Sequence, residues 1–215
     1  MAYYPVQGSR CYVQSTIASA VTITDITNAS PPVVTAATHG YVDNDEVLHE
    51  VGWEDFNYSV FRVNQLTTNT YSLDGYDSSS TDWYPTGSDT GTAKKITAWT
   101  EIGQVLGIQS SGGGVRNVTV QPYDKRNPVN IPIGFEASTL SFTLGYDPAL
   151  TVQIALLSAS RTLSKKAVKF ALSGGGYAYC YGTVAMNPIP NFNPNGVLEA
   201  QVAISIDGLF TSYTS

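Results

Sequence analysis

The chain has 215 residues, a formal net charge of −6 and only 13% charged residues, while 42% of its residues are hydrophobic. This balance indicates a globular protein with a core, and it disfavours a protein that grips nucleic acid through clustered Lys and Arg. Few charges with many Tyr and Thr favour β-structure whose surface is largely covered by neighbours, although an ordinary polar β-protein has the same composition.

The acidic residues are concentrated in one part of the sequence. Residues 21–91 carry eleven Asp and Glu side chains against Arg62 alone, and the rest of the chain is mildly basic. This asymmetry predicts two units with different surroundings. No apolar run approaches the ~18 residues of a membrane span, and the first residues lack a signal-peptide pattern. We therefore expect a protein that is made and folded in a cytoplasm.

The first twenty residues predict an arm followed by a strand. Tyr3, Tyr4, Pro5 and Val6 form an apolar, aromatic segment that is too short to bury itself, and a strand follows over residues 10–15. The segment is either a frayed terminus or a part of the chain that docks on another subunit.

Residues 21–91 predict a compact unit of short strands separated by Asn, Asp and Gly clusters, which is typical of a small barrel or sandwich. Four phrases in this unit are distinctive: residues 23–29 (Ile-Thr-Asp-Ile-Thr-Asn-Ala), 32–40 (Pro-Val-Val-Thr-Ala-Ala-Thr-His-Gly), 45–47 (Asp-Glu-Val) and 69–75 (Asn-Thr-Tyr-Ser-Leu-Asp-Gly). They resemble a small β-barrel module of phage structural proteins, often labelled FCCH-like after a domain of ubiquitin-activating enzymes. The resemblance implies no ubiquitin chemistry.

The remaining sequence predicts one helix packed on an antiparallel sheet. Alternating apolar side chains indicate strands over residues 140–146, 168–172, 177–184 and 198–206. A helix is predicted over residues 148–161, with Asp147 as its N-cap. The helical spacing of three apolar residues places them on its core face: Leu150, Ile154 and Leu157.

Several phrases in residues 92–215 occur in the order of a known protein family. They are residues 99–103 (Trp-Thr-Glu-Ile-Gly), a Gly-rich loop at 110–114, Tyr123-Asp124, residues 134–142 (Gly-Phe-Glu-Ala-Ser-Thr-Leu-Ser-Phe), Tyr146-Asp147 before the helix, and residues 202–208 (Val-Ala-Ile-Ser-Ile-Asp-Gly). With residues 21–91 set aside, the chain resembles a major tail tube protein of phages with long, non-contractile tails. It departs from that pattern by the insertion in its first loop, and the usual C-terminal immunoglobulin-like domain is not seen.

The resemblance implies a structural virion protein that assembles as stacked hexameric rings into the hollow tail tube through which DNA is ejected. It implies assembly in the host bacterial cytoplasm, contacts with the tape measure, tail terminator and tail tip proteins, and passage of DNA without specific binding. The expected fold is mainly β. A discontinuous tail tube domain over residues 1–20 and 92–215 would form a sandwich or barrel-like sheet with one packed α-helix, and an inserted barrel over residues 21–91 would project outward.

Two sets of residues are candidates for assembly surfaces. Polar side chains on one side of the last strand would let DNA slide along the lumen, although the sequence leaves open which sheet face is the inner one. These lumen candidates are Glu199, Gln201, Ser205 and Asp207. The arm, a Gly loop over residues 110–116 and a loop over 121–133 are candidates for contacts between rings. Their residues are Tyr3, Tyr4, Pro5, Val6, Arg116, Tyr123, Asp124, Lys125 and Arg126.

Residues with catalytic or metal-binding potential form no recognised motif, so we expect no enzyme, no metal site and no cofactor. His39 and His49 lack a zinc-binding spacing. Asp43, Asp45 and Glu46 lack the 12-residue pattern of a calcium loop and are interpreted as a solvated acidic loop.

The two cysteines and a row of tyrosines leave alternatives open. Cys11 and Cys180 lie far apart in the sequence, and a bridge between them is neither indicated nor excluded. Tyr177, Tyr179 and Tyr181 are interpreted as packing a sheet face near a subunit contact, although such a row also stacks sugars or bases. The alternative function is a tail-tip or decoration protein whose inserted barrel recognises a cell-surface glycan.

Overall fold

A computed structural model describes residues 7–192 and 196–214 of the chain. Within these ranges it contains seventeen β-strands and one α-helix, so the predicted mainly β fold with a packed helix is confirmed. The strands are β1 (Arg10–Ile17), β2 (Val21–Ile23), β3 (Asp25–Ile26), β4 (Val33–Thr35), β5 (Glu46–Val51), β6 (Ser59–Arg62), β7 (Asn64–Gln65), β8 (Thr70–Ser72), β9 (Gly91–Glu101), β10 (Val105–Ser111), β11 (Val115–Val120), β12 (Val129–Phe135), β13 (Thr139–Gly145), β14 (Lys165–Ala171), β15 (Tyr177–Met186), β16 (Glu199–Ile206) and β17 (Thr211–Tyr213). The helix α1 spans Thr151–Arg161.

Most strands belong to one antiparallel sheet of eleven strands. Its order is β10-β13-β16-β15-β14-β1-β9-β5-β6, with β17 beside β15 and β2 beside β9. A second sheet contains four short strands in the order β3-β4-β8-β7, and β11 and β12 pair with each other as a separate ribbon. The alternation predicted for the later strands is present, because β13, β16 and β15 are neighbours whose alternate residues share one buried face.

The main core lies between α1 and the central strands of the large sheet. Its sheet side contains Phe142, Leu144, Val168, Cys180, Val184, Val202 and Ile204, all nearly inaccessible to solvent. Its helix side contains Val152, Leu156 and Ala159.

The start of α1 differs from the predicted start. The helix begins at Thr151 and not at residue 148, because the Asp147 Oδ1 accepts a hydrogen bond from the Ala149 N–H at 2.9 Å and closes a turn before the helix. The buried Gln153 side chain then sets the register. Its Nε2 donates to the Gly145 carbonyl oxygen at 2.6 Å, and its Oε1 accepts the Asp147 N–H at 3.1 Å.

This register also changes the predicted core face of the helix. Leu150 and Leu157 pack half-buried against the core, as expected, but Ile154 is 54% exposed. Leu150, Ile154 and Leu157 have helical spacing, and so do Val152, Leu156 and Ala159. The second set is the one that faces the sheet. The prediction for Ile154 was therefore wrong.

Residues 21–91 contain a second core of their own. Its largest fully buried side chains are Ile23, Ile26, Trp53, Phe56, Phe61, Tyr71 and Leu73. Strand β9 connects this core to the large sheet, because it pairs with β2 and β5 through its first half and with β1 through its second. A third cluster packs Leu48 and Val60 against Tyr179 and Tyr181. The division into a tube domain and an inserted barrel stays a prediction, with β9 as the shared element.

Candidate assembly surfaces

The β11–β12 ribbon is exposed along its whole length. Every residue of both strands is exposed, and among the described strands these two pair only with each other. Gly112 (φ +86°) and Gly113 (φ +72°) turn the chain from β10 into the ribbon. A Cβ atom on Gly112 would lie 2.0 Å from the Ala137 carbonyl oxygen, so this turn requires glycine. The base of the ribbon is therefore fixed to the end of the large sheet.

The ribbon has one apolar face and one polar face. Val118 pairs with Ile131 and Val120 pairs with Val129, and residues in directly opposed pairs two positions apart share a face. On the other face the Thr119 hydroxyl donates to the Asn130 side-chain oxygen at 2.8 Å. The apolar face thus exposes four β-branched side chains that no other described strand pairs with.

Five of the candidate residues for contacts between rings lie on this ribbon: Arg116, Tyr123, Asp124, Lys125 and Arg126. The Tyr123 side chain is fully exposed at the tip. Among the ion pairs between described residues, none includes the two cations of the tip, Lys125 and Arg126. The other four candidates, Tyr3, Tyr4, Pro5 and Val6, lie outside the described residues.

The sequence predicts a Gly loop over residues 110–116 and a loop over 121–133. In the structure these ranges include the end of β10, the start of β11 and most of β12. Proline is depleted in strands, and Pro132 therefore hides β12 from a sequence pattern. The structure accommodates Pro132 opposite Asn117, beside a register shift between the two strands. The alternation of Val129, Ile131 and Ile133 was the sequence signal for β12.

An apolar groove of about 570 Å³ lies where the ribbon leaves the large sheet. Its largest apolar lining residues include Ile108, Leu140, Phe170, Leu172 and Phe210. The Phe142 and Phe170 rings stack at 6.2 Å on the same side of the sheet as α1. The helix covers one end of this sheet face, and the apolar groove is the end that it leaves open.

A larger cleft of about 800 Å³ lies beside the apolar groove. We call it the acidic cleft, and its lining includes Asp43, Arg62, Asp74, Tyr76, Phe210 and Ser212. The Asp43 Oδ1 accepts the Gln65 N–H at 2.8 Å, and no ion pair between described residues includes Asp43 or Asp74. Phe210 and Ser212 line both the acidic cleft and the apolar groove.

The sheet face opposite α1 is lined by small neutral side chains. Cross-strand pairing aligns Ser141 with Ala203 and Ala185, and Thr139 with Ser205 and Thr183. Directly opposed residues share a face, so these side chains form two rows across β13, β16 and β15. A shallow cavity of about 520 Å³ opens on this face.

The structure places the lumen candidates on this neutral face. Glu199, Gln201 and Ser205 alternate with the buried residues of β16 and lie on the side away from α1. Asp207 follows the strand, and its carboxylate lies 3.4 Å from the Lys165 ammonium group. Of the two charged candidates, Glu199 is the one for which the described part of the chain offers no ion pair.

The other half of the same sheet face is covered within the chain. The Tyr58 and Tyr181 rings stack at 5.9 Å, and the Arg62 guanidinium lies 5.6 Å from the ring centres of both Tyr177 and Tyr213. The predicted packing of the tyrosine row against a sheet face is therefore seen. Residues of β6 and Tyr58 cover the row, and β17 extends the same sheet beside β15.

A buried polar network forms beneath this cover around Glu46. The Lys169 ammonium group lies 2.8 Å from the Glu46 Oε1, and the Tyr179 hydroxyl donates to the same oxygen at 2.7 Å. The Trp99 Nε1–H donates to the second carboxylate oxygen. Burial and the neighbouring carboxylate raise the pKa of Tyr179. The buried Glu46 carboxylate thus receives one ion pair and two hydrogen bonds, which offset the cost of removing its charge from water.

The interpretation of residues 43, 45 and 46 as a solvated acidic loop was wrong for two of the three. Glu46 is the first residue of β5, and its side chain is only 15% exposed. Asp45 lies 2.6 Å from the Lys95 ammonium group and is mostly buried, while Asp43 is exposed. The sequence pattern gave no indication of these partners, because they come from distant strands.

The histidines are buried structural residues. His39 Nδ1 accepts the Tyr41 N–H at 3.0 Å, so its Nε2 carries the proton and donates to the Thr67 carbonyl oxygen at 3.1 Å. His49 lies 2.9 Å from the Tyr71 hydroxyl through Nε2, and complete burial lowers its pKa to about 3. Within the described ranges no three His, Cys, Asp or Glu side chains are grouped to hold a metal ion.

The cysteines are both free and buried. Cys11 on β1 and Cys180 on β15 are separated by β14, which pairs with both strands. Strands lie ~4.8 Å apart, so two strands with one between them are too far apart for a disulfide. Burial raises the pKa of Cys11 to about 11 and that of Cys180 to about 12. Cys11 and Cys180 therefore do not form the disulfide that the sequence left open.

Comparison with known proteins identifies the family. No helix in the described part of the chain is long and apolar enough to cross a membrane. A search of curated proteins found no match. The family model described as "Phage tail tube protein, TTP" matches residues 51–215, which is well over half of the 215-residue chain. The match does not identify the FCCH-like module, which stays a prediction. The chain belongs to the phage tail tube protein family.

Proposed function

We propose that the protein is the major tail tube subunit, which assembles as hexameric rings stacked into the hollow tube through which phage DNA is ejected. Membership of the family implies a structural component of the virion tail that associates with itself and with other tail proteins. A structural family also suggests a non-enzymatic protein. The hexameric ring, the stacking, the passage of DNA and contacts with tape measure, terminator and tip proteins belong to the proposal.

The ribbon is the observation that carries this proposal. A hairpin of two strands is marginally stable alone in water, and the apolar face with Val118 and Ile131 is exposed in the single subunit. Burial against another copy would stabilise the assembly by about 25 cal/mol per Å² of apolar surface removed from water. The ribbon is long enough to leave its own subunit, so we assign it to contacts between neighbouring rings.

The edges of the large sheet support closure into a ring. Strand β10 is the last strand on one side, and it exposes Leu106 and Ile108. An exposed edge strand with unpaired backbone groups invites pairing with another chain. A closed ring of identical subunits satisfies such edges, because each copy supplies the partner for the next.

We assign the lumen to the neutral face opposite α1. Ser141, Gln201 and Ser205 present hydroxyl and amide groups without positive charge, and Lys165 is paired with Asp207. Phosphates passing this wall would meet no free cation among the residues that the structure describes on it, so DNA would slide without specific binding. The substitution Q201K should slow DNA ejection from assembled phage, and an unchanged ejection rate would count against this assignment.

We assign residues 21–91 to the outside of the tube. Strand β6 of this unit covers the tyrosine half of the sheet face whose other half we assign to the lumen, so the curl of the large sheet would turn the covered half outward. This unit carries eleven acidic residues against Arg62, and like charge on the exterior would keep assembled tubes apart in solution. The helix α1 lies on the sheet face away from the proposed lumen, so it would also face outward.

Electron microscopy of the purified protein, together with light scattering on the same sample, tests the proposed function. Stacked rings or hollow tubes with external projections are expected at high concentration. The variant V118T/I131T keeps β-branched shape but makes the apolar ribbon face polar, and it should remain in small particles. The matched variant N117S/T119S alters the other face and should assemble normally. Equal assembly of both variants would refute the role of the ribbon.

A second candidate function is favoured by one observation. Trp83 is 74% exposed within an Asp- and Ser-rich loop of residues 77–90. Exposed tryptophan rings stack well on sugars, so this loop supports the glycan-binding alternative. A glycan array with the wild-type protein and a W83A variant separates the two candidates. Sugar binding that depends on Trp83 in a protein that never forms rings would favour the alternative.

A further inference from the structure

We propose that the ribbon of one copy docks on a second copy, with its apolar face on the apolar groove and its tip in the acidic cleft. This inference rests on the proposed function, because it names the surface that receives the ribbon in an assembled tube. The contact is heterologous, since the ribbon and its receiving surface are different parts of the same chain. Each copy therefore has one of each and can be linked to two others.

On both the receiving surface and the ribbon, an apolar part is followed by a charged part. The apolar groove and the acidic cleft share Phe210 and Ser212, so they form one continuous concave surface. The ribbon likewise carries aliphatic side chains along its strands and charged side chains at its tip. Strand β11 has six residues and spans about 20 Å at ~3.4 Å per residue. An aliphatic stem on the apolar groove would place the charged tip beyond Phe210, in the acidic cleft.

The charges of the tip and the cleft are complementary. The tip carries Lys125 and Arg126, and the acidic cleft offers Asp43 and Asp74, none of which has an ion-pair partner among the described residues. Within the subunit the two carboxylates accept hydrogen bonds from the neutral groups of Gln65, Asn64 and Ser72. Opposite charges that meet only across two subunits give specificity and correct register to a contact.

The remaining charge of the tip and the remaining charge of the cleft are also opposite in sign. Asp124 of the tip has the sign opposite to Arg62, which the Asn44 side-chain oxygen and the Tyr177 and Tyr213 rings hold at the cleft wall. The pattern of one negative and two positive charges on the tip thus faces one positive and two negative charges in the cleft.

Tyr123 supplies the aromatic anchor of the proposed contact. Its side chain is fully exposed in the single subunit, and the cleft contains Tyr76 and Phe210, of which Phe210 is also exposed. Aromatic side chains that enter a pocket of the partner commonly dominate the energetics of an interface. The cleft volume of about 800 Å³ is ample for one tyrosine ring.

Charge reversal on both sides tests the contact. The variants K125E/R126E and D43K/D74K each place like charges together, and each should raise the protein concentration needed for tube formation at least about tenfold. The quadruple variant restores opposite charges and should return assembly close to the wild-type level. An equimolar mixture of the two double variants should also assemble, because each supplies the partner that the other lacks. Wild-type assembly by either double variant overturns the proposal.

A control variant separates local contact from total charge. E54K/D82K makes the same change in charge as D43K/D74K at two exposed acidic residues away from the cleft, and it should assemble normally. Circular dichroism and thermal unfolding of each soluble variant confirm that it is folded. A folded quadruple variant that fails to assemble would also overturn the proposal.

Cysteine cross-linking tests the contact directly. The variant N127C/S212C keeps Tyr123 and places one cysteine on the tip and one in the cleft. It should form disulfide-linked multimers in assembled tubes but not in dilute monomer, because the native Cys11 and Cys180 are buried. Tubes without cross-links would overturn this inference and leave the proposed function intact. The absence of rings and tubes in every wild-type preparation would instead remove both.

Discussion

The substitution E46Q is expected to destabilise the protein by about 3 kcal/mol. Glutamine keeps the size of the side chain but removes the charge that faces the Lys169 ammonium group at 2.8 Å. The Glu46 and Lys169 side chains are only 15% and 18% exposed, so water replaces little of the lost interaction. A glutamine also offers one acceptor oxygen where Glu46 offers two, and Trp99 and Tyr179 both donate here.

This magnitude follows from the burial of the pair. Removing one partner of a buried ion pair costs ~3–5 kcal/mol, and the partial exposure of this pair places it at the lower end. A loss of about 3 kcal/mol lowers the Tm of a chain of this size by roughly 6–12 °C. The neighbouring pair of Glu50 and Lys94 provides a matched control, because it has the same 2.8 Å distance but is 30% and 28% exposed. E50Q should cost about 1 kcal/mol or less.

Urea unfolding of the wild type, E46Q and E50Q, followed by tryptophan fluorescence and circular dichroism, measures both values. The ratio between the two losses matters more than either value alone, since systematic errors of the extrapolation affect both variants alike. A loss for E46Q no larger than that for E50Q would show that the buried network does not hold the residue 21–91 unit to the large sheet.

Three further predictions follow from burial. L156A should cost ~2–5 kcal/mol of unfolding free energy, whereas I154A should cost under ~1 kcal/mol, and equal losses in thermal unfolding would contradict the helix orientation. In the folded protein burial lowers the pKa of His49 to about 3, whereas in the unfolded chain its pKa is about 6.5. Between these two values only the unfolded chain binds a proton at His49, so the free energy of unfolding should decrease as the pH is lowered from about 6.5 to about 3. The wild type should lose about 2 kcal/mol more than H49Q between pH 7.5 and 5, and parallel losses would count against it. Cys11 and Cys180 should resist maleimide labelling until the protein unfolds, which mass spectrometry can check; rapid labelling of the native protein would contradict their burial.

Features that depend on neighbouring residues were predictable from the sequence. Strands β13 and β16 were expected from alternation, because a half-buried strand repeats its burial every second residue. The end of α1 agrees with the predicted end at residue 161. Its start does not, because Asp147 closes a turn with the same local chemistry that caps a helix. Sequence alone does not distinguish these two uses of one side chain.

Features that depend on distant residues were not predictable. The partners of Glu46 lie 53, 123 and 133 positions away in the sequence, and only the order of the strands brings them together. The apolar groove and the acidic cleft meet at Phe210 for the same reason. By contrast, the tip residues of the ribbon are contact candidates from the sequence alone, because long loops commonly carry binding, and this role stays a prediction.

Strand β9 has a mechanical consequence for the assembled particle. An inserted unit commonly hangs on two flexible linkers and swings independently of its host. Here the eleven residues of β9 pair with β1 at one end and with β2 and β5 at the other, so the return connection is itself part of the sheet. Bending the residue 21–91 unit against the rest would require breaking backbone hydrogen bonds. If residues 21–91 lie on the outside of the tube as proposed, a pull or torque applied to them would therefore be transmitted to the large sheet and would not be absorbed by a hinge.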